Sequence, residues 1–262
     1  MKEKESNSIP ENNIIENQNI IKNNLNTNKN NQESIKDIQE LETKIMPDDF
    51  TMFDLSFKII IIGDSGVGKS CITLKATRNY FEECYSPTIG FEFFTLTIKI
   101  NKQYVKLQIW DTCGQEAYKS LISSFYKNSS LAILTYSIDN ENSFNNLNSW
   151  LNQLKIESSP DIKLFLIGNK IDLIDKKLIL TETAQKFADD NNISLFLETS
   201  AKTGLNIKNV FIEAAKILYL EHLNYKDNLS NSVLSFNLNT IKNSDETELN
   251  ESKKSTKKSK CC

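Results

Sequence analysis

The sequence predicts an α/β fold: a six-stranded, mostly parallel sheet with one antiparallel strand and about five helices. Three observations carry that reading. From Phe57 onward, short apolar runs alternate with amphipathic stretches, the pattern of a parallel sheet covered on both faces by helices. The glycine-rich run Gly63-Asp64-Ser65-Gly66-Val67-Gly68-Lys69-Ser70 stands between an apolar strand and a helical pattern. The loop Asn101-Lys102-Gln103 is too short for a crossover, so the strands it joins must run antiparallel.

In chain order, strands are expected at residues 57–62, 91–100, 104–110, 131–137, 163–168 and 194–198. The first and fourth contain the longest apolar stretches, Phe57 to Ile62 around one lysine and Leu131 to Tyr136, as strands buried on both faces do. Both fall far short of the roughly 18 residues that would span a bilayer. Helices are expected between the strands, at about 69–79, 116–127, 141–157, 181–191 and 206–222. Together these make a domain over 53–222. Ahead of it, residues 1–52 form an Asn-rich extension without glycine, whose composition cannot offset the entropy of ordering. Within that extension Ile35, Ile38, Leu41 and Ile45 recur near helical spacing after Ser34, with Asp37 placed for a capping box, so a short docking helix is the alternative to disorder. Behind the domain, 223–262 is a polar tail that ends in a lysine cluster.

Composition narrows the functional classes. With 39% hydrophobic and 25% charged residues, the 262-residue chain can bury one core of ordinary size without staples. The formal net charge of -3 provides no global basic field, so no nucleic-acid partner is expected. Five cysteines in so long a chain do not make a disulfide framework, and Cys71, Cys84 and Cys113 are too scattered for a zinc site; reduced thiols are expected. The start, Met1-Lys2-Glu3-Lys4-Glu5, lacks an apolar signal core and the glycine that myristoylation requires, so the expectation is a chain made and kept in the cytosol. All seven glycines, from Gly63 to Gly204, fall at positions a nucleotide pocket can use.

The run Gly63–Ser70 is a P-loop in the context the motif needs. Backbone N–H groups at Asp64, Ser65, Gly66, Val67 and Gly68, with the following helix N-terminus through Cys71, can cradle phosphates. Lys69 reaches the β and γ oxygens, and the Ser70 hydroxyl is a ligand for Mg²⁺. Trp110-Asp111-Thr112-Cys113-Gly114-Gln115-Glu116 ends the third expected strand on the same sheet edge. There Asp111 can hold magnesium through a water, Gly114 leaves its amide free for the γ-phosphate, and Gln115 can orient an attacking water. Thr88, in the loop that leaves the first helix, can complete the metal shell while the γ-phosphate is present.

Asn169-Lys170-Ile171-Asp172 selects guanine over adenine. The Asp172 carboxylate can accept from both N1–H and the 2-amino group, a pair that adenine does not present. Ser200-Ala201-Lys202 offers backbone amides to O6 and a lysine stem beside the ring, and Phe81 can cover the ring edge. GTP and GDP, with Mg²⁺, are therefore the expected ligands.

These motifs resemble the Ras superfamily of small GTPases over about 57–222, and within it the Rab family. The Rab-like features are Asp64-Ser65 in the P-loop, Lys106-Leu107-Gln108-Ile109-Trp110, Leu134-Thr135-Tyr136-Ser137-Ile138 and the Cys261-Cys262 end. The stretch from Phe144 to Leu151 is most similar to Golgi or endosomal Rabs. The resemblance implies the small-GTPase fold and a GTP/GDP switch that regulates vesicle traffic on the cytoplasmic face of an intracellular membrane. It also implies GTP-dependent effectors, an exchange factor, a GTPase-activating protein, a GDP-dissociation inhibitor, and a prenyltransferase with its escort protein. The membrane itself would be engaged through geranylgeranyl groups on Cys261 and Cys262, next to Lys253, Lys254, Lys257, Lys258 and Lys260. Departures from the pattern are Cys113 in place of alanine, and the stretches Ile89–Phe94 and Phe125–Ser130.

Turnover is expected to be slow. The single arginine, Arg78, lies near the end of the first helix, so no arginine finger comes from within. Hydrolysis would rest on Gln115, Lys69 and magnesium, at an unaided rate on the order of 10⁻⁴ to 10⁻³ per second. The lack of an arginine-rich lid argues against a nucleotide kinase. The remaining alternative is a GTP-binding module with impaired hydrolysis, acting as a static interaction protein.

Overall fold

The computed structural model describes residues 41–83, 88, 90–113 and 125–226. The chain divides into a unit that ends at Leu218 and a second that begins at Tyr219, of which residues 219–226 are described as helix. The first unit carries a sheet of seven strands in the order β1-β3-β4-β2-β5-β6-β7, one more than the sequence predicts. β2 (Leu55–Ile62) lies at the centre, parallel to β4 (Gln103–Thr112) on one side and to β5 (Leu131–Ser137) on the other. β6 (Lys163–Asn169) and β7 (Leu195–Glu198) continue the parallel series, while β3 (Phe91–Ile100) runs antiparallel to β4. The hairpin turn is tight because Asn101 takes the left-handed φ of 52°, which asparagine tolerates.

Burial follows the apolar runs. Ile59, Ile60, Ile61 and Ile62 are buried, and so is every residue of β5, as expected where helices cover both sheet faces. α1 (Lys69–Arg78) opens at Gly68, whose φ is 98°. α2 (Glu141–Asn145) is capped by the Asn140 side chain, which accepts from Ser143 N at 3.1 Å. α3 (Leu147–Glu157) buries Leu147, Trp150, Leu151 and Leu154, spaced as one helical face, into a cluster with Ile60, Leu134 and Leu166 of the sheet. α4 (Thr181–Asp190) buries Ala184 and Ala188, and α5 covers 207–218 at the end of the first unit. The parallel strands all end toward one sheet edge, so the loops after β2, β4, β6 and β7 meet there.

Two expectations need correction. The stretch 1–52 is not uniformly without structure, because β1 (Thr43–Ile45) pairs antiparallel with β3 in the register Thr43↔Ile100 and Ile45↔Ile98. Asn101 N donates to Glu42 O at 2.9 Å and Met46 N to Thr97 O at 2.8 Å, and the Phe50 ring stands 4.7 Å from that of Tyr104. Ile45 therefore lies in a strand and not in a docking helix; Ser34, Ile35, Asp37 and Ile38 lie outside the described residues. The expected helix 141–157 is two helices that meet at Asn146. Of the expected helix 116–127, only 125–127 are described, with 125 and 126 helical.

Candidate functional site

At the carboxyl edge of the sheet lies a cavity of about 390 Å³. Ser65, Gly66, Gly68, Lys69, Ser70 and Cys71 form its floor, Phe81 and Thr88 one wall, and Asn169, Lys170, Asp172, Ala201 and Lys202 the far end. Residues drawn from five separate stretches of sequence are thus brought to one place. Glycine serves partly to let the phosphate loop approach its neighbours. A Cβ at Gly63 would stand 2.1 Å from Thr135 O, and one at Gly68 2.3 Å from Asn169 Nδ2, whereas one at Gly66 would meet nothing within 4 Å. The loop is pinned at both ends by packing and open toward the cavity in between.

At the phosphate end, Lys69 Nζ donates to Gly63 O at 2.7 Å and to Asp64 O at 2.8 Å. Burial lowers its ammonium group to about 8, against the opposing pull of Asp111 and Asp64. Ser70 Oγ donates to Asp111 Oδ2 and lies 2.7 Å from Thr88 Oγ1. Burial raises the Asp111 carboxyl to about 6, although the Ser70 hydrogen bond and Lys69 both favour its charged form. The other carboxylate oxygen, Oδ1, is buried without a hydrogen-bond partner among the described residues. One carboxylate and two hydroxyls converging from three segments form an all-oxygen donor set of the kind Mg²⁺ takes together with waters and phosphate oxygens. The residues present therefore fit that ion.

At the far end, several polar groups are bonded to one another. Asn169 Nδ2 donates to Val67 O at 2.9 Å, while its Oδ1 accepts from Thr199 Oγ1 and from Ala201 N, both at 3.2 Å. Ser200 Oγ donates to Asp172 Oδ1 at 2.6 Å and accepts from Thr203 N at 3.1 Å. Between Asn169 and Asp172, Lys170 takes a left-handed φ of 71°, a conformation costing on the order of 1–2 kcal/mol that turns the two side chains to their separate tasks. Behind this end, Lys177 Nζ sits 2.7 Å from Glu198 Oε1 and 2.6 Å from Thr181 Oγ1, tying the segment after Asp172 to the one before Thr199.

The sequence reading missed Glu82, Glu83, Thr112 and Leu173, which also line the cavity. Glu83 bonds Lys202 across its mouth at 3.0 Å. Asp64, Val67, Asp111 and Ser200 do not line the cavity; Asp111 and Ser200 stand behind it, bonded to Ser70 and Asp172, and the Asp64 carboxylate faces α3. Gly114, Gln115, Cys261 and Cys262 lie outside the described residues.

The family model described as the Ras family matches residues 58–220. Ras-related protein RABD2c of Arabidopsis thaliana is 42% identical over 160 residues, which are 61% of this chain and 79% of the relative. GTP-binding protein YPTM2 of Zea mays is 41% identical over 163 residues, which are 62% of this chain and 80% of that relative.

Proposed function

The chain belongs to the Ras family and stands with its Rab GTPases, and on that premise we propose a GTP/GDP switch of vesicle traffic, timed by slow hydrolysis and tethered by a lipidated tail. The observation that supports it best is the Ser70 hydroxyl set between Thr88 and Asp111, at one end of a cavity whose other end presents Asp172. In this reading Asp172 accepts from the guanine N1–H and 2-amino groups, with Ser200 fixing its carboxylate. Lys69 leaves its backbone carbonyls for the β and γ oxygens of the substrate. Bound there with Ser70, Thr88 and Asp111, Mg²⁺ would neutralise charge on those oxygens. Gln115 orients the attacking water, and Gly114 reads the γ-phosphate through its amide. Loss of that phosphate releases the segments around Thr88 and Gly114, which changes the surface that effectors meet.

An exchange factor would reload the switch and an activating protein would speed hydrolysis, since the chain's only arginine, Arg78, ends α1 over the Phe94 ring. Cys261 and Cys262 would carry geranylgeranyl chains, added by a prenyltransferase with its escort protein and shielded in the GDP form by a GDP-dissociation inhibitor. The five nearby lysines add attraction to an anionic cytoplasmic leaflet of a Golgi or endosomal membrane.

The test is single-turnover hydrolysis by the full chain loaded with GTP and Mg²⁺. The expected rate is on the order of 10⁻⁴ to 10⁻³ per second, reduced further in Gln115→Leu. Rapid hydrolysis without an activator overturns the timer. No hydrolysis in the wild type or in Cys113→Ala identifies a static binder instead.

A further inference from the structure

The phosphate loop is also held from outside the cavity. Asp64, its second residue, turns its carboxylate toward α3, where Trp150 Nε1 donates to Oδ1 at 2.8 Å and Asn146 Nδ2 donates to Oδ2 at 2.7 Å. Hydrogen bonds to an ionised acceptor are the stronger kind, and the two donors sit one helical turn apart. The carbonyl oxygen of the same residue accepts from Lys69 Nζ. Asp64 therefore connects the ammonium group inside the cavity to a helix outside it.

The two donors are fixed in different ways. Trp150 is 3% exposed and packs in the cluster that holds α3 to the sheet, so its indole is held by packing. Asn146 is exposed and stands at the junction of α2 and α3, where its own N–H bonds to Asn142 O and Phe144 O. The helix break loses no backbone bond at that N–H and leaves the amide side chain free to reach the loop. On the loop side, packing restrains Gly63 and Gly68 while nothing crowds Gly66. Between those two pinned ends the loop is restrained by the Asp64 side chain and, at Val67 O, by Asn169 Nδ2.

We propose that Asn146 and Trp150 are positioning residues for phosphate binding: through Asp64 they hold the loop and Lys69 in the register that a nucleoside diphosphate needs, and α3 responds when that register is filled. This rests on the reading of the cavity as a guanine-nucleotide site. The loop grips a β-phosphate, which GMP lacks, so the difference between GDP and GMP reports on positioning, whereas a general weakening of the fold would act on both.

The experiment is competition of GDP and of GMP against a fluorescent GDP on the full-length protein, comparing wild type, Asn146→Ala and Trp150→Phe. Each variant should lose about tenfold in GDP affinity, with GMP changed by no more than about twofold. Asn146 is exposed, so its variant keeps the test meaningful if Trp150→Phe folds poorly. In a Trp110→Phe background Trp150 is the only tryptophan left of two, and its emission should shift when GDP binds. Equal losses for GDP and GMP, unchanged GDP affinity in Asn146→Ala, or emission indifferent to GDP overturns the proposal. A wild type that does not prefer GDP to GMP overturns the nucleotide reading itself.

Discussion

The two ends of the cavity are built on different principles. At the base end the polar groups satisfy one another: Asn169 is bonded on both sides of its amide, Ser200 holds Asp172, and the Lys177–Glu198 pair braces the loops from behind. At the phosphate end Lys69 has backbone carbonyls for partners, Asp111 keeps one buried oxygen unpartnered, and burial pushes both groups toward their uncharged forms. The base end is a rigid template. The phosphate end is an electrostatic arrangement that costs free energy until oppositely charged groups complete it. Selection of the purine and sensing of the phosphates are therefore separable, and each can be altered without the other.

The largest effect should come from the template. In Asp172→Asn the Ser200 hydroxyl still finds an oxygen, so the loops should keep their shape. The two guanine donors, however, then face an amide that offers one acceptor and a competing donor. Affinity for GTP and GDP should fall on the order of a thousandfold, with xanthine nucleotides now preferred, because a buried group left unpaired is penalised far more than a contact is rewarded. Competition binding with the two purines checks this. Unchanged GTP affinity would mean that the base end does not select, and the comparison would fail at its stronger half.

Next is the electrostatic end, where the size of the effect depends on pH and its sign on the ligand. A carboxyl raised from 3.8 to about 6 by folding makes the ionised form costly, so stability of the nucleotide-free protein should decline as pH rises from about 4 to about 6 and stay lowered above that. Asp111→Asn removes this cost but also removes the carboxylate that supports the Lys69 charge. The expected gain is at most about 2 kcal/mol at pH 7.5 and close to nothing at pH 4, read from urea unfolding without Mg²⁺ or nucleotide. With Mg²⁺ and GDP present the variant should be the less stable of the two. A variant destabilised under all conditions would show that Asp111 is an ordinary structural residue.

Much of this was legible in the sequence because both ends are written in short motifs at strand ends, where chain order fixes chemistry and the sheet fixes position. Each of the runs Gly63–Ser70, Asn169–Asp172 and Ser200–Lys202 sends residues into the cavity lining from the strands that the apolar runs imply. What was not legible is what depends on distant partners. β1 is three residues, Thr43-Lys44-Ile45, in a polar stretch, and only the edge of β3, more than fifty residues on, makes it a strand. Asp64 reads as a phosphate-loop residue, yet its side chain is claimed by Asn146 and Trp150, where Asn146 also breaks an otherwise continuous helical pattern. Glycine at Gly63 and Gly68 reads as phosphate contact, although backbone and side-chain approach from Thr135 and Asn169 requires it as well. Glu82 and Glu83 look like any solvated pair after a helix, because nothing local shows that the chain there folds over the cavity.

Glu83 supplies the smallest and most discriminating measurement. Its bond to Lys202 spans the cavity mouth, from the segment after α1 to the base loop, but the two side chains are 76% and 51% exposed. Water and salt screen such a pair, so it can contribute little to closure if the base end is already rigid without it. Glu83→Gln should quicken release of a fluorescent GDP by only about twofold at low ionic strength, and the difference should vanish at about 0.5 M salt. A tenfold acceleration that survived high salt would mean that this latch, and not the hydrogen-bonded network around Asn169 and Asp172, holds the base in place. The template would then be no more self-sufficient than the phosphate end, and the contrast between the two would dissolve.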